Sequence, residues 1–207
     1  MNKVQIDNMP LVYPLPAVLM GTMVNGVANY TTLGNCGIIC VNPPVIYVSS
    51  HKRHHGNKGV RTSKQFSVNI PSVEMLVKTD FCGIVSGRTV DKSKVFDTFF
   101  GGQPAIPMIR ECPVNLACEV VTMVPVFKME VFIAKVIETY VDKDCFSGER
   151  LDTKKLNPLI YCMDNRYWSI GSEVGRGFEV GKQYGPYSRL TALLPRRILD
   201  FARKLVK

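Results

Sequence analysis

Between residues 15 and 50, short apolar runs are separated by polar and turn-forming residues. The runs LPAVLMG and GVANYTTL flank Asn25-Gly26, a pair typical of a two-residue hairpin turn. GIICV and VIYVSS follow on either side of NPP, where two prolines indicate a corner because they cannot both lie inside a central ladder. FSVNI, residues 66–70, repeats the pattern. This region therefore predicts a series of short strands.

Two longer segments, NLACEVVTMVPVF and MEVFIAKVIETYVD, are rich in β-branched residues and mostly alternate, so they predict two long antiparallel strands. PLIYCMDNRYWSIG predicts a last pair of short strands around the turn MDNR. A short helix or a loop is expected in NKGVRTSKQ, and short helices are expected in SVEMLVKTDFC, with Ser72 as its N-cap, and in DKSKVFDTFF. Many strands with few helices favour a closed antiparallel barrel. A Rossmann or P-loop site is not supported, because GxGxxG and GxxxxGK[ST] are absent.

The end of the chain has a different pattern, with Leu194, Ile198, Phe201 and Leu205 at helical spacing and basic residues on other faces. It predicts a basic amphipathic helix over residues 188–207, which packs on a barrel domain of residues 1–187 or on a partner subunit. The alternative is a helix for an anionic membrane surface or an acidic partner.

Composition narrows the class of protein. The 207 residues are 46% hydrophobic and 21% charged, which is ordinary for a globular domain. Seven scattered cysteines without a secretion signal predict free thiols in a cytoplasmic protein, and no apolar run is long enough for a transmembrane segment. The net charge of +9 favours anionic partners: a phosphate cofactor, an acidic protein or nucleic acid. Nucleic acid is the less favoured, because no zinc finger or RNA-binding aromatic pattern is present.

Two segments carry the candidate chemistry. NYTTLGNCG, residues 29–37, contains amides, hydroxyls and glycines, whereas a strand that only packs in a core would have larger apolar side chains. SSHKRHHGNKG, residues 49–59, combines hydroxyls, basic side chains and open backbone, as a phosphate-binding turn requires; the alternative is an exposed basic loop. We predict no metal site, since the three histidines lack further ligands at suitable spacing, and no catalytic side chain. A bound cofactor would then supply the chemistry.

At this point a family resemblance emerges. YPLPAVLMGTMVNGVANYTTLGNCGIICVNPPVIYVSS resembles the opening of the flavin reductase-like, FMN-binding split-barrel family, in particular its flavoredoxin branch. SKQFSVNIPS, KTDFCGIVSGRTVDKSKVFD, PMIRECPVNLACEV and NPLIYCMDNRYWSIGSEVG continue the resemblance in order, so that it covers roughly residues 11–182. It implies an antiparallel six-stranded split barrel with a few short helices, usually a homodimer, with FMN bound non-covalently near the subunit interface.

The resemblance also implies which residues bind FMN. The strand from Asn29 would face the ring and ribityl chain, and the segment from Ser49 would approach the ribityl chain and phosphate. Tyr167 and Trp168 would cover the flavin, or else pack in the core. The complete set of predicted cofactor-binding residues is Asn29, Tyr30, Thr31, Thr32, Asn35, Ser49, Ser50, Arg53, His54, Asn69, Lys92 and Trp168.

Three positions depart from the family pattern. Gly56 stands where relatives often carry Thr, and Cys36 is small where many carry an aromatic residue nearby. Met129 stands where many flavin reductases carry a histidine that is associated with nicotinamide-dependent turnover. The absence of this histidine favours an FMN electron-transfer protein or oxidoreductase, and the net charge of +9 would suit an acidic carrier such as ferredoxin. The alternatives are an NADH- or NADPH-dependent flavin or ferric reductase, a non-catalytic FMN-binding protein, and a basic nucleic-acid or membrane-surface protein.

Overall fold

The computed structural model describes residues 2–184, which divide into two units, residues 2–170 and residues 171–184. The strands are β1 (Leu15–Pro16), β2 (Val18–Val24), β3 (Val27–Leu33), β4 (Cys36–Cys40), β5 (Val45–His51), β6 (Gln65–Ile70), β7 (Thr98–Phe99), β8 (Met108–Ile109), β9 (Val114–Val126), β10 (Met129–Val141), β11 (Phe146–Ser147), β12 (Arg150–Leu151), β13 (Ile160–Cys162) and β14 (Arg166–Trp168). The α-helices are α1 (Asn57–Ser63), α2 (Leu76–Ile84) and α3 (Thr153–Leu156). Single 3₁₀ turns cover Val73–Met75, Lys92–Lys94, Lys143–Cys145 and Val180–Gln183.

The main sheet is antiparallel and has seven strands in the order β3-β2-β6-β9-β10-β5-β4, where six were expected. Its two edge strands, β3 and β4, are joined by only Gly34 and Asn35, so the two edges of the sheet must lie close together. The amide of Ser49 on β5 donates to the carbonyl of Asn35 at 2.8 Å and holds this connection in place. The sheet therefore curls into a barrel, and the predicted fold class is confirmed.

Local sequence explains the two main hairpins. Asn25 and Gly26 both have positive φ, 52° and 79°, as a two-residue turn matching the twist of β2 and β3 requires. The two long strands predicted from alternation are the 13-residue strands β9 and β10, paired from Met129 with Val126 to Val141 with Val114.

Alternation along β2 places apolar side chains in two different cores. Val18 and Met20 contribute to the cluster inside the barrel, together with Phe66 and Phe132. Leu19 points the other way, into a second cluster that lies under α2. Because both faces of β2 are buried, the strand reads as a continuous apolar run.

The predicted helices are shorter or less regular than expected. SVEMLVKTDFC forms a 3₁₀ turn followed by α2, and Ser72 is extended at the start without a side-chain capping bond. DKSKVFDTFF forms only the 3₁₀ turn Lys92–Lys94 and then strand β7. Asp91 caps this turn by accepting from the Ser93 amide, and the chain then extends toward its pairing with β8.

Residues 171–184 form a separate short segment that ends in a 3₁₀ turn. The helix predicted over residues 188–207, and its boundary at residue 187, lie outside the described residues and stay predictions. Within the described part of the chain, no helix has both the length and the apolar character needed to cross a bilayer. All seven cysteines are free thiols.

Candidate functional site

Three cavities follow strand β3 from one end to the other. The first lies beside Thr32 to Asn35, the second beside Thr31, and the third beside Val24 to Asn29. The first and second share His54 and Gly83. The second and third share His55, Gly87 and Lys92. The three cavities therefore line a single groove that runs from the junction of β3 and β4 to the β2–β3 turn.

The first cavity has a volume of about 440 Å³ and walls that combine hydrogen-bonding groups with aromatic rings. Thr32, Asn35 and Ser49 form the polar side. Tyr161 and Tyr167 pack against each other with ring centroids 5.3 Å apart. The remaining lining residues are Ala17, Leu33, Gly34, His54, Asp80, Gly83, Met129 and Asn165.

Tyr167 is fixed against α2, because its hydroxyl donates to the Asp80 carboxylate at 3.0 Å. Burial, followed by this hydrogen bond, raises the pKa of the Tyr167 phenol well above its usual value. The phenol therefore stays protonated at neutral pH and keeps the bond to Asp80. This contact connects β14 to α2 across the first cavity.

The second cavity, of about 250 Å³, is the basic end of the groove. Arg53, His54, His55 and Lys92 line it, together with the segment from Gly83 to Gly87. Gly56 lies nearby, and a Cβ at this position would be 3.0 Å from Asn29 Nδ2 and 3.2 Å from Thr31 Oγ1. Glycine thus allows the loop to approach β3 closely.

Lys92 is the most buried cation in this region, with 4% of its surface exposed. Its Nζ donates to the Cys82 carbonyl at 2.7 Å, and it has no ion pair within the described residues. Burial lowers the pKa of the Lys92 ammonium. Burying an ammonium with only one neutral acceptor is unfavourable in free energy, because the charge loses its hydration. An anion bound in the second cavity would offset this desolvation cost.

A chain of hydrogen bonds lies behind His54. The Asn57 carboxamide donates through Nδ2 to the His51 carbonyl at 3.2 Å and to Glu130 Oε2 at 2.9 Å. Because both of these partners are acceptors, the amide orientation is fixed and Oδ1 must face Ser50. The Ser50 hydroxyl donates to Asn57 Oδ1 at 2.7 Å. Arg61 holds Glu130 with two further hydrogen bonds.

This chain determines the position of the proton on His54. Ser50 Oγ lies 2.9 Å from His54 Nδ1 and has already given its only proton to Asn57. His54 Nδ1 must therefore carry a proton and donate it to Ser50. Burial, then His51 and Lys92, lower the pKa of the His54 imidazole, so the ring is neutral at pH 7. Its Nε2 is consequently an unprotonated acceptor.

Eight of the twelve predicted cofactor-binding residues line the groove. They are Asn29, Thr31, Thr32, Asn35, Ser49, Arg53, His54 and Lys92. Ser50 is fully buried and acts through its bond to His54 instead of lining a cavity. The structure thus brings most of the two predicted segments together along β3.

Three predicted residues do not line the groove. Tyr30 is fully buried in the core under α2, where its hydroxyl bonds Thr98 at 2.7 Å, so the expectation that it faces a flavin does not fit its placement. Asn69 is also fully buried and bridges β2, β8 and β9 through Leu19, Ile109 and Asn115. Trp168 is 53% exposed and outside the lining of these three cavities, so it does not pack in the core, and its predicted contact with the flavin stays a prediction.

The sequence prediction omitted several groups of the site. Asp80 and Asn165 line the first cavity from α2 and from the β13–β14 turn, and His55, Gly87 and Arg88 line the basic end. Gly87 and Arg88 belong to the segment SGRTVDK, in which the sequence alone points only to Lys92. Asn57, Arg61 and Glu130 were omitted because their role depends on contacts between α1 and β10, which no local pattern reveals.

Comparison with known proteins is consistent with this arrangement. A family model for the flavin reductase like domain matches residues 9–169. The crystal structure of flavoredoxin from Methanosarcina acetivorans is similar over 88% of this chain and 98% of its own, with 38% identity and a TM-score of 0.85. Flavoredoxin of Desulfovibrio vulgaris (Miyazaki F) is similar over 87% of this chain and 100% of its own, with 26% identity and a TM-score of 0.81.

A more distant likeness concerns the fold alone. The FMN-binding protein from Thermus thermophilus with bound p-hydroxybenzaldehyde has 16% identity and a TM-score of 0.73, over 85% of this chain and 97% of its own. At this identity, the shared feature is the split barrel.

Proposed function

This chain belongs to the flavin reductase-like domain family, and from that premise we propose that it binds FMN non-covalently in the first and second cavities and works in oxidoreduction or electron transfer. Bound FMN would supply the redox chemistry, since its ring can accept a hydride or single electrons. The observation that supports this proposal best is the buried ammonium of Lys92, which has no carboxylate partner within the described residues and lies at the basic end of a groove with polar and aromatic walls.

The second cavity suits a phosphate group. Lys92 and Arg53 provide positive charge there, and Lys92 has no carboxylate partner in the described part of the chain. Charge-assisted hydrogen bonds to a phosphate are shorter and stronger than neutral ones, and they would satisfy Lys92. Gly56 contributes to this site by having no side chain, which lets its loop lie closer to β3 than a larger residue would allow.

The first cavity suits a flat ring with hydrogen-bonding edges. The Tyr161 and Tyr167 rings offer surfaces for stacking, and Thr32, Asn35 and Ser49 offer polar groups opposite them. His54 stands where the two cavities meet, and its unprotonated Nε2 would accept a hydrogen bond from a hydroxyl of the ribityl chain. In this proposal the protein binds and orients the cofactor and excludes water, and no side chain transfers a proton.

Among possible electron donors, we favour a reduced carrier protein over NADH or NADPH. Met129 lines the first cavity at the position where the family resemblance implies a histidine in nicotinamide-dependent members. A thioether offers no proton and only a weak acceptor, so it is a poor partner for a nicotinamide carboxamide. The net charge of +9 would attract an acidic carrier such as a ferredoxin.

An anaerobic titration tests the proposal. Purified protein is mixed with FMN, and its absorbance spectrum is recorded before and after addition of NADH, NADPH or a reduced ferredoxin. We expect an FMN complex that is bleached by the reduced carrier and not by the nicotinamides. Rapid bleaching by NADH or NADPH would favour the reductase alternative, and an FMN complex that no donor reduces would favour a non-catalytic FMN-binding protein. A protein without affinity for FMN would overturn the proposal.

We also propose a homodimer, which the exposed apolar side chains of edge strand β4 support. Ile38 is 74% exposed and Ile39 is 52% exposed, and Val41, just beyond the strand, is 76% exposed. An open sheet edge with apolar side chains is unfavourable in water unless another surface covers it. A second copy of the chain is the occupant that the family resemblance implies.

A further inference from the structure

The turn between β9 and β10 has an exposed aromatic residue at its tip. Phe127 and Lys128 are the two residues between Val126 and Met129, and 95% of the surface of Phe127 is exposed. Val124 and Val126, just before the turn, are 41% and 40% exposed. Apolar side chains that are grouped on a protein surface indicate a contact with another molecule.

Local structure does not explain why a phenylalanine stands in this turn. Its φ is 47°, in the left-handed region that favours Gly and Asn. The β2–β3 hairpin of the same chain has Asn25-Gly26 at its own two-residue turn, also with positive φ. Phe127 thus brings the hairpin both backbone strain and apolar exposure, and such a combination indicates that the residue serves a function.

The ring of Phe127 is surrounded by cations. A fourth cavity, of about 290 Å³, lies beside the turn, and we call its lining residues His51, Lys52, Arg53, Phe127 and Lys128 the tip surface. None of these five residues is acidic. Lys52, Arg53 and Lys128 are exposed, and they form no ion pair within residues 2–184. The tip surface therefore combines an apolar centre with uncompensated positive charge.

The tip surface is held in place by hydrogen bonds to its backbone. The Lys52 amide donates to the Lys128 carbonyl at 2.9 Å, which joins the loop after β5 to the turn. Arg61 Nη2 donates to the Lys52 carbonyl at 3.2 Å. The Glu130 carboxylate, two residues after the turn, accepts hydrogen bonds from Asn57 and Arg61, and these occupy both of its oxygens. A surface that is already ordered loses less conformational entropy when a partner binds.

The tip surface adjoins the proposed FMN site at two places. Arg53 lines both the tip surface and the second cavity. Met129, the residue after Lys128, lines the first cavity and is paired with His51. A protein bound at the tip surface would therefore lie directly beside the proposed cofactor site.

The tip surface is separate from the β4 edge that supports the homodimer. Ile38 on β4 is paired with Ile46 near the start of β5, whereas His51 is the last residue of β5. Five residues of an antiparallel strand span about 17 Å. A dimer that forms through β4 therefore uses a different part of the barrel.

We infer that the tip surface docks an acidic electron-carrier protein, whose carboxylates surround an apolar contact for Phe127. Opposite charges would steer this partner and fix its orientation, and the buried aromatic ring would contribute most of the binding energy. A nucleic acid or an anionic membrane would also be attracted by the charge, but a surface beside a redox cofactor needs a partner that supplies electrons. The inference rests on the proposed function to the extent that it takes the first two cavities as the FMN site.

Titration with an acidic carrier tests the docking. An oxidised bacterial ferredoxin with two [4Fe–4S] clusters is titrated into the FMN-loaded protein, and its binding is measured by calorimetry at low and at high ionic strength. We expect binding that weakens as ionic strength rises, and no binding of a basic c-type cytochrome. Absence of ferredoxin binding at low ionic strength would overturn the inference.

Charge reversal tests the position of the surface. Lys52→Glu and Lys128→Glu should each weaken ferredoxin binding about fivefold. Lys154→Glu is the matched control, because Lys154 is exposed on α3 and outside the tip surface, and the substitution changes the net charge by the same amount. An equal loss of affinity in the control would assign the attraction to the net charge of the protein and overturn the inference.

Replacing Phe127 separates a docking role from a structural one. Asn adopts positive φ more readily than Phe, so the melting temperature of Phe127→Asn should not fall, whereas its affinity for ferredoxin should fall about tenfold. Phe100→Asn is the control, because Phe100 is 45% exposed, follows β7 and lies outside the tip surface. Unchanged ferredoxin affinity in Phe127→Asn would contradict the inference.

Other occupants give different results with the same variant. If Phe127→Asn dissociates a wild-type dimer in light scattering, the tip surface contacts a second copy of the chain. If it abolishes binding to phosphatidylglycerol vesicles or to single-stranded DNA, the surface binds a membrane or a nucleic acid. Each of these results overturns the inference. A protein without affinity for FMN would overturn the proposed function alone, because ferredoxin binding to the unloaded protein and its variants still tests the tip surface.

Discussion

At the scale of single residues, the tautomer of His54 follows from partners that lie on α1 and β10. Asn57 is held by the His51 carbonyl and by Glu130, and it directs its oxygen to Ser50. Ser50 can then only accept from His54, which leaves Nε2 without a proton. A single hydroxyl thus decides whether the imidazole offers a donor or an acceptor to the groove.

Replacing Ser50 by alanine should change this tautomer. In Ser50→Ala, Nδ1 loses its acceptor and the ring becomes free to carry its proton on Nε2. Nitrogen-15 NMR of labelled histidine should place His54 Nε2 in the unprotonated range in the wild type, and shift it toward the protonated range in the variant. Ser49→Ala is the control, because Ser49 lines the first cavity without a side-chain bond to His54. A wild-type spectrum with a protonated Nε2 at neutral pH would contradict the assignment.

The same histidine links stability to pH. Burial, then His51 and Lys92, lower the pKa of His54 from its ordinary value of 6.5. Below about pH 6.5 the unfolded chain binds a proton that the folded protein resists, so the free energy of unfolding falls as pH falls. Urea unfolding at pH 7.5 and pH 5.5 measures this loss, which should be smaller in His54→Gln. An equal loss in both proteins would assign the pH dependence to other groups.

Tyr30 and Asn69 show how far family resemblance and sequence pattern identify site residues. Tyr30 and Thr32 lie on the same side of β3, yet Tyr30 is fully buried under α2 whereas Thr32 lines the first cavity, so alternation does not separate the two residues. Asn69 looked like a polar residue available to a ligand, but its amide is fully used in joining three strands. Its role depends on the pairing of distant strands, which local sequence does not define.

At the scale of elements, β3 presents each of its sides to a different neighbour. Thr32 faces α2, where its hydroxyl donates to the Thr79 carbonyl at 2.5 Å and its side chain lies against Gly83. Asn29 and Thr31 face the Gly56 loop and Gly87. The strand and its hairpin were predictable from alternation and from Asn25-Gly26. The course of SGRTVDK along β3 was not, because an irregular loop has no periodicity to detect.

A larger side chain on β3 should block the first cavity. In Thr32→Leu, the extra volume enters the cavity and the bond to Thr79 is lost, so FMN affinity should fall by about tenfold or more. Fluorescence titration measures the affinity, and circular dichroism checks the fold. Thr122→Leu on β9 is the matched control, since Thr122 is exposed and outside the lining of the three cavities. Unchanged FMN affinity in Thr32→Leu would show that the first cavity is not the flavin site.

At the scale of the whole molecule, the fold class was predictable from the pattern of residues, whereas the oligomeric state follows only from the family resemblance. Strand-rich patterning and the family resemblance predicted a split barrel, and the sheet order confirms it. The sheet has seven strands because the chain is interrupted at Gly34 and Asn35, so that β3 and β4 are two separate strands at opposite edges of the sheet. A homodimer stays a prediction, supported by the exposed side chains of β4.

Introducing a charge on β4 tests the dimer. Ile38→Lys places an ammonium at the centre of the exposed apolar edge, where a second copy would have to desolvate it. Light scattering after size exclusion should give a dimer for the wild type and a monomer for the variant. Val77→Lys on α2 is the control, because Val77 is 81% exposed on a different element. A wild-type monomer, or dissociation caused equally by both changes, would contradict an interface on β4.

The short connection between the two edges of the sheet has a consequence for motion. Gly34 and Asn35 join β3 to β4 and also line the first cavity, and the Ser49 amide on β5 donates to the Asn35 carbonyl. A ligand in that cavity would contact both edges of the sheet and stabilise the closed form of the barrel. Hydrogen–deuterium exchange should therefore slow first in β3 and β4 when FMN is added, and leave the outer half of the β9–β10 hairpin unchanged. The barrel would then be a structure that its own ligand closes.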